Sequence, residues 1–327
     1  MRRAGRRSFL LAGAALLSAA RGAPAQTPKR VPRVGFLSSA TSPRRSEAFV
    51  RGMSELGYVE GRSVRVEMRS ADGQRDRLAA LAAELVRSDI DVLVAGSTIA
   101  ARAAKAATAA IPVVFAGSSD PVAGGLVASL ARPGGNLTGV SLAYGGGLAG
   151  KWVELLKDLA PRVTRIALLW TSTNPASAQF VEEAEATARK LNAKTARHHA
   201  AVPGEVDAAL RGVAASGAQG LVVMPSPFWV AQRDALLAFA AKQRLPAMYF
   251  DEEFAEAGGL VSYGPSIAEA YRLAASYVDR ILKGAKPGEL PVQQLNTHEL
   301  VIHRGTARSL GLAIPPSIAA RSPRMVD

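Results

Sequence analysis

The feature that most restricts this chain is a repeated alternation of short apolar runs with longer segments whose apolar residues fall on one helical face. Residues 34–37 read as a buried strand. The next segment places Phe49, Met53 and Leu56 at i, i+4 and i+7 and stops at Gly57, which predicts a helix with a glycine end. The order continues with a strand over 64–68, a helix over 77–87, a strand over 92–94, a helix over 99–110 and a strand over 111–115. A helix over 121–131, the turn Pro133-Gly134-Gly135-Asn136 and a strand over 137–142 follow, then a helix over 149–159 that buries Trp152, Leu155, Leu156 and Leu159. The cycle restarts with strands over 166–170, 195–202, 221–224, 247–250 and 260–263, separated by helices over 176–191, 205–215 and 229–243. Ser266-x-x-Glu269 is a capping box that opens a long helix with Ile267, Ala270, Tyr271, Ala274, Val278 and Ile281 on one face, ending at Gly284. Short strands over 290–295 and 299–303 and a helix over 305–310 close the chain.

Continuous apolar strands between helices imply parallel sheets covered on both faces. Two rounds imply an α/β fold of two doubly wound parallel-sheet lobes. The Gly-rich stretch 144–150 and a turn at Tyr263-Gly264-Pro265 are the expected crossings, which make a multi-crossing hinge rather than a linker. The expected division is 31–143 plus about 265–290 for lobe 1, and 144–264 plus about 291–327 for lobe 2.

The first 25 residues read as an export signal. Arg2, Arg3, Arg6 and Arg7 precede an apolar stretch over 9–20, and Ala23-Pro24-Ala25 supplies a small-x-small cleavage pattern. Twelve apolar residues are short of the ~20 that span a bilayer. Arg6-Arg7-Ser8-Phe9-Leu10 matches a twin-arginine signal, with an ordinary Sec signal as the alternative. The formal charge of +13 includes five arginines in this segment; cleavage leaves 35 basic and 27 acidic side chains, a net +8. These charges are scattered over helical surfaces with no basic stripe or interleaved aromatics, so no nucleic-acid partner is expected. No second stretch reaches membrane-spanning length, so the mature chain is expected to be periplasmic and not membrane-embedded. The absence of cysteine removes disulfide scaffolds, thiolate metal sites, cysteine nucleophiles and a lipid anchor on an N-terminal cysteine.

In open parallel sheets, ligands sit beyond the carboxyl ends of the strands, where helix N-termini offer unpaired N–H groups. The first strand here ends in Ser38 and Ser39, the third in Gly96-Ser97-Thr98, and the fourth in Gly117-Ser118-Ser119-Asp120. The second round ends its strands in Thr171-Ser172-Thr173-Asn174, in Pro225-Ser226, and in Asp251-Glu252. Short hydroxyl, amide and carboxylate groups hold a small polar ligand by hydrogen bonds without reacting with it. The candidate ligand-binding residues are therefore Ser38, Ser39, Ser97, Thr98, Ser118, Asp120, Asn174, Ser226, Asp251 and, at a lobe crossing, Tyr263. Taken singly, each Ser, Thr, Asn or Asp also suits a helix cap.

No catalytic residue, metal ligand or cofactor is expected. Gly145-x-x-x-x-Gly150-Lys151 has the spacing of a phosphate-binding loop, but Trp152 stands where Ser or Thr would hold magnesium. Histidines 198, 199, 298 and 303 match no zinc spacing. The acidic run Asp251-Glu252-Glu253 suits a helix N-terminus better than an acid/base pair.

A specific block runs through Ala95-Gly96-Ser97-Thr98, Ile111-Pro112-Val113-Val114-Phe115, Asp120-Pro121-Val122 and Gly125-Leu126-Val127. It continues to Leu130-Ala131-Arg132-Pro133-Gly134-Gly135-Asn136-Leu137-Thr138-Gly139-Val140. It resembles the ABC-transporter substrate-binding proteins of the tryptophan/tyrosine-transporter-like type, which have a type I periplasmic binding protein fold. Glu299-Leu300-Val301-Ile302, Thr306 to Leu312 and Ile314-Pro315-Pro316-Ser317 are similar to the ending of the same family. The resemblance implies a monomeric two-lobed receptor of an ABC-type importer. It would capture a small polar or aromatic solute, an amino acid or carboxylate-like, and deliver it to a membrane permease and its ATPase subunit. It also implies Ser38, Ser39, Ser97, Thr98 and Asp120 on one side of the cleft and Asn174, Ser226 and Asp251 on the other. The chain departs from the family at His303-Arg304-Gly305, where an asparagine-containing stretch is expected, and in the Gly-rich 144–150. Pro227-Phe228-Trp229 suits either stacking on a ligand ring or the core. Two rivals share these features: an exported solute sensor for a membrane signalling partner, and an exported two-lobed enzyme.

Overall fold

The computed structural model describes residues 30–327 apart from 143, 145, 175 and 323, so the export signal expected over 1–25 lies outside the described residues. The first round of the alternation forms β1 (Arg33–Ser38), α1 (Pro43–Glu55), β2 (Arg65–Ser70), α2 (Arg77–Arg87), β3 (Val92–Ala95), α3 (Thr98–Ala107), β4 (Val113–Ser118) and β5 (Leu137–Leu142). The second forms α4 (Leu148–Leu159), β6 (Arg165–Trp170), α5 (Ser177–Lys190), β7 (Lys194–His199), α6 (Val206–Ala215), β8 (Gly220–Val223), α7 (Pro227–Ala231), α8 (Arg233–Gln243), β9 (Ala247–Tyr249), α9 (Glu252–Glu256) and β10 (Val261–Pro265). The remainder is α10 (Ile267–Leu282), β11 (Gln293–Leu295), β12 (His298–His303), α11 (Arg304–Ser309), α12 (Pro316–Ala319) and β13 (Arg324–Val326).

Two sheets result. The first has the order β11-β5-β4-β3-β1-β2 and the second β13-β12-β10-β9-β8-β6-β7. Every pairing in the first sheet is parallel. In the second, β12 runs antiparallel to β10, and β13 pairs parallel with β12. Each sheet therefore repeats one winding: its second strand lies outside its first, and the third, fourth and fifth follow on the other side. That arrangement puts a topological switch point between β1 and β3 and another between β6 and β8. The central strands β3, β5, β8 and β9 are buried at every residue, as the continuous apolar runs require.

Local chemistry sets the helix starts. Ser42 caps α1 by accepting the backbone N–H of Arg45, and Pro43 pre-sets the first turn. Ser266 caps α10 by accepting the N–H of Glu269 at 3.3 Å. The face of α10 packs on α1, β3, β4 and β5, so this helix covers the first sheet although it follows the last strand of the second round. Its Tyr271 hydroxyl donates to the Gly96 carbonyl at 2.7 Å, fixing the end of β3. From Pro32 onward the described chain packs as one unit.

The structure alters several expectations. Residues 121–131 form turns, not a helix. Asp120 takes the N–H groups of Val122 and Ala123, and Gly125 adopts φ +67°, so the Gly124-Gly125 pair breaks the helical path. The helix expected over 229–243 splits at Gln232 into α7 and α8, with Ser226 capping the earlier start. Tyr263-Gly264-Pro265 is the end of strand β10 rather than a turn, and the crossing comes immediately after it at Ser266. Residues 293–295, expected beside the second sheet, extend the first one through β5, so the chain returns to the second sheet only at 296–297. The sheets are thus joined by three strands of chain. At the departure from the family pattern, His303 itself caps α11, its Nδ1 accepting the Thr306 N–H at 3.0 Å.

Gly139 shows how tightly the first sheet is built. It pairs with Phe115 in β4, has φ +147°, and a Cβ placed on it would lie 2.1 Å from the Phe115 carbonyl oxygen. Backbone cannot yield as a side chain can. Gly139→Ala is expected to destabilise the protein by about 3 kcal/mol or more in chemical denaturation, whereas a loss within ~0.5 kcal/mol contradicts this close-approach account.

Candidate functional site

Parallel pairing gathers the carboxyl ends of both sheets around one cleft. Its inner compartment, about 50 Å³, is walled from the first sheet side by Gly96, Ser97, Thr98, Gly117, Ser119 and Leu142. From the second side come Thr173, Asn174, Pro225, Ser226, Val230 and Phe250, with Arg45, Tyr144 and Ile267 completing the wall. An outer mouth of about 290 Å³ shares Thr98, Ser119, Tyr144 and Asn174 with it and adds Arg102, Asp120 and Gln179. A water needs roughly 10–15 Å³ of such space, so the inner compartment by itself holds a few waters or one small group, and a larger solute needs the adjoining mouth as well.

The polar wall is largely pre-organised by caps. Ser97 accepts the Ala100 N–H at 3.1 Å and shares a hydroxyl contact with buried Ser39. Thr98 accepts the Ser119 N–H at 3.2 Å and touches the Ser118 hydroxyl at 3.1 Å. On the other side, Asn174 donates to the Pro225 carbonyl at 2.6 Å and accepts the Ala176 N–H, which orients its amide. Ser226 accepts the Phe228 N–H at 3.1 Å and meets the Thr173 hydroxyl at 3.2 Å. These side chains therefore serve as caps and as walls together. The first backbone N–H groups of α3 have no acceptor within the helix, and its positive end faces the compartment beside Thr98.

Of the ten residues expected from the sequence, Ser97, Thr98, Asn174 and Ser226 line the compartment, and Asp120 lines the mouth. Ser39 and Ser118 stand directly behind, supporting Ser97 and Thr98. Ser38 does not reach the cleft; its hydroxyl donates to the Ala40 carbonyl. Tyr263 lies on β10, where its carbonyl takes the Trp152 indole N–H at 2.7 Å and its ring stacks on His298. Asp251 lies behind the compartment wall, held by Arg45 and by the Glu253 N–H at 3.0 Å. Phe228 and Trp229 are buried against each other, a core arrangement in which only Pro227 and Val230 of α7 reach the compartment.

Sequence reasoning missed Arg45, Ser119, Thr173 and the apolar walls Leu142, Tyr144 and Phe250. Ser119 and Thr173 sit in the same strand-end stretches as chosen neighbours. Arg45 had a signal of its own: it precedes Ala48, Phe49 and Met53 on the buried face of α1. An arginine on a buried face demands partners, and it has two carboxylates besides the Tyr271 hydroxyl. Its Nε donates to Glu253 at 2.9 Å and its Nη2 to Asp251.

These partners shape the electrostatics. Burial, opposed by Arg45 and reinforced by Glu253, pushes the Asp251 carboxyl up to about 6. Burial also works against a charged Glu253, but Arg45 and the hydrogen bond from Ser42 hold it below the usual carboxylate value. The Tyr144 hydroxyl is driven well upward by burial and then by Asp251, so it stays neutral in any physiological medium.

The chain matches the family model for ABC transporter substrate binding protein over residues 35–326. It belongs to that family. A tyrosine-binding protein of Clostridioides difficile is 25% identical over 267 residues, covering 81% of this chain and 76% of its own. A domain from Streptococcus pneumoniae solved in complex with L-Trp superposes with a TM-score of 0.81 at 27% identity, over 90% of this chain and 99% of that one. A conserved domain protein from Vibrio cholerae gives 0.81 at 26% identity, over 90% and 100%. The architecture of this substrate-binding protein is accordingly the type I periplasmic binding protein fold. Among the described residues, no helix is long and apolar enough to cross a membrane.

The raised Asp251 value fixes a pH dependence. The folded chain holds this proton more readily than the unfolded one, so the stability it contributes is full below about pH 4 and is lost as the pH rises through about 6. Asp251→Asn mimics the protonated form at every pH. Its stability relative to the parent protein should therefore rise by about 1–3 kcal/mol between pH 4 and pH 7.5 in denaturant titrations. A difference independent of pH would contradict the assignment.

Proposed function

We propose that this protein is the solute receptor of an ABC-type importer, monomeric and periplasmic, which captures a small solute between two lobes and delivers it to a membrane permease. The solute is an amino acid or related carboxylate with an apolar or aromatic body. One observation carries this reading: a single compartment is bounded on both sides by strand ends whose hydroxyls and amide are already oriented, with apolar side chains between them. The carboxylate belongs at the N-terminus of α3, where Ser97 and Thr98 supply hydroxyls and the helix supplies unpaired N–H groups. Leu142, Tyr144, Phe250 and Ile267 suit the apolar body. Support also comes from the two relatives described as a tyrosine-binding protein and as an L-Trp complex, each about one-quarter identical.

In this reading each sheet with its helices is one lobe, and the three chain crossings are the hinge. Solute that touches both sides binds the closed form more tightly and shifts the population toward it; a tenfold shift needs only ~1.4 kcal/mol of differential affinity. No bond in the solute changes. The permease then recognises the closed form.

Calorimetry with L-tryptophan, L-tyrosine and a wider set of amino acids and small carboxylates tests this. At least one should bind and, at a hundred times its dissociation constant, add about 2.7 kcal/mol to stability. Asn174→Ala should weaken that binding about tenfold, since it removes an oriented amide from the wall. No binding across the whole set would overturn the reading, and turnover of the bound solute would replace it with an enzyme.

A further inference from the structure

The cleft has a second feature that solute recognition does not use. Arg45, Asp251 and Glu253 are 6%, 1% and 6% exposed, and they belong to opposite sides of the cleft. Arg45 stands in the first turn of α1, which leaves β1 of the first sheet; Asp251 and Glu253 follow β9 of the second. The same seam carries Ser42, whose hydroxyl donates to Glu253 at 2.7 Å, and Arg44, which pairs with Glu252 at 3.2 Å and also with Glu256. Arg45 alone among these residues also forms part of the compartment wall.

We infer that Arg45 is the closure-positioning residue of this receptor: its side chain lines the compartment while its guanidinium ties the two sheets together through Asp251 and Glu253. The inference deepens the receptor reading and depends on it for what closure serves.

The charges explain why the tie is conditional. One guanidinium faces two carboxylates, and Arg233 reaches Glu253 only at 3.4 Å from a more exposed position. Asp251 also faces Glu252 of α9, Tyr144 of the β5–α4 crossing and Tyr271 of α10. None of these supplies a cation. With Arg45 in place the buried pairs roughly offset their own desolvation, but removing one partner strands the other in a medium where it cannot ionise cheaply. Parting the two sheets returns a stranded charge to water. A residue that both lines the solute space and holds the seam makes the two events one: a solute packed against the Arg45 side chain fixes the rotamer that reaches Asp251 and Glu253. The seam thereby sets how far the receptor is closed before any solute arrives.

The absence of cysteine makes the test direct. Ala106→Cys on α3 and Glu182→Cys on α5 place spin labels at exposed positions on opposite sides, and pulsed dipolar spectroscopy reads the distance between them without added solute. Arg45→Gln should shift the ratio of short to long distances about tenfold toward long. Asp251→Asn combined with Glu253→Gln should do the same by stranding Arg45, and Arg45→Lys, which keeps the charge but loses the fork, should fall between. Tyr58→Phe, which breaks the 3.1 Å contact with Asp279 away from the seam, should leave the distances unchanged. Circular dichroism confirms folding; if the first two variants do not fold, Arg45→Lys decides. Unchanged distances in the folded seam variants overturn the inference even if solutes bind. Failure of every solute to bind would sink the receptor reading and leave these distances as they are.

Discussion

Parallel strands bring all their carboxyl ends to one edge of a sheet, and the helices that follow begin there with N–H groups that have no partner of their own. Everything at this cleft follows from doing that twice in one chain. Each edge must satisfy a row of exposed donors, and short Ser, Thr, Asn and Asp side chains are the cheapest way to do so. When two such edges face each other across three chain crossings, the caps become the walls of a common space. Ser97, Thr98, Asn174 and Ser226 are therefore caps and walls at once.

Hydroxyls and a carboxamide alone would leave the two sides indifferent to each other. A buried charge joins them. Arg45 is out of water with two carboxylates that lie more than two hundred residues further along the chain. A tie of this kind contributes little net stability, since desolvation consumes most of the Coulombic gain, but it is intolerant of partial loss. It also explains the acidic run at the start of α9. Asp251 caps the helix, as such runs commonly do, while the same carboxyl and that of Glu253 are spent on the opposite side of the cleft.

Most of the winding was legible because buried strands and amphipathic helices leave different periods in the sequence. Helix α2 and strand β5 fall where the pattern placed them. The pattern failed where glycine or a cap overrode apolar spacing: at Gly124-Gly125, where a helix dissolves into turns, and at Gln232, where one helix becomes two. The edge strand β11 was misplaced because three residues with one buried side chain carry no signal of which sheet they join. In the cleft, strand-end chemistry identified the polar caps. It could not separate Ser97, which faces the space, from Ser38, whose hydroxyl turns back onto its own backbone.

The sequence by itself determined the alternation, the two rounds, the strand ends rich in capping groups, and the family, because these depend on neighbours within about twenty residues or on a matched run of residues. Only the tertiary structure decided which of those groups share a wall, that Asp251 answers to Arg45 instead of to the cleft, and that Tyr144 and Phe250 supply its apolar surface. The reason is physical: a cap is made by a residue and its next turn, whereas a wall or a buried ion pair exists only when two separately wound sheets have met.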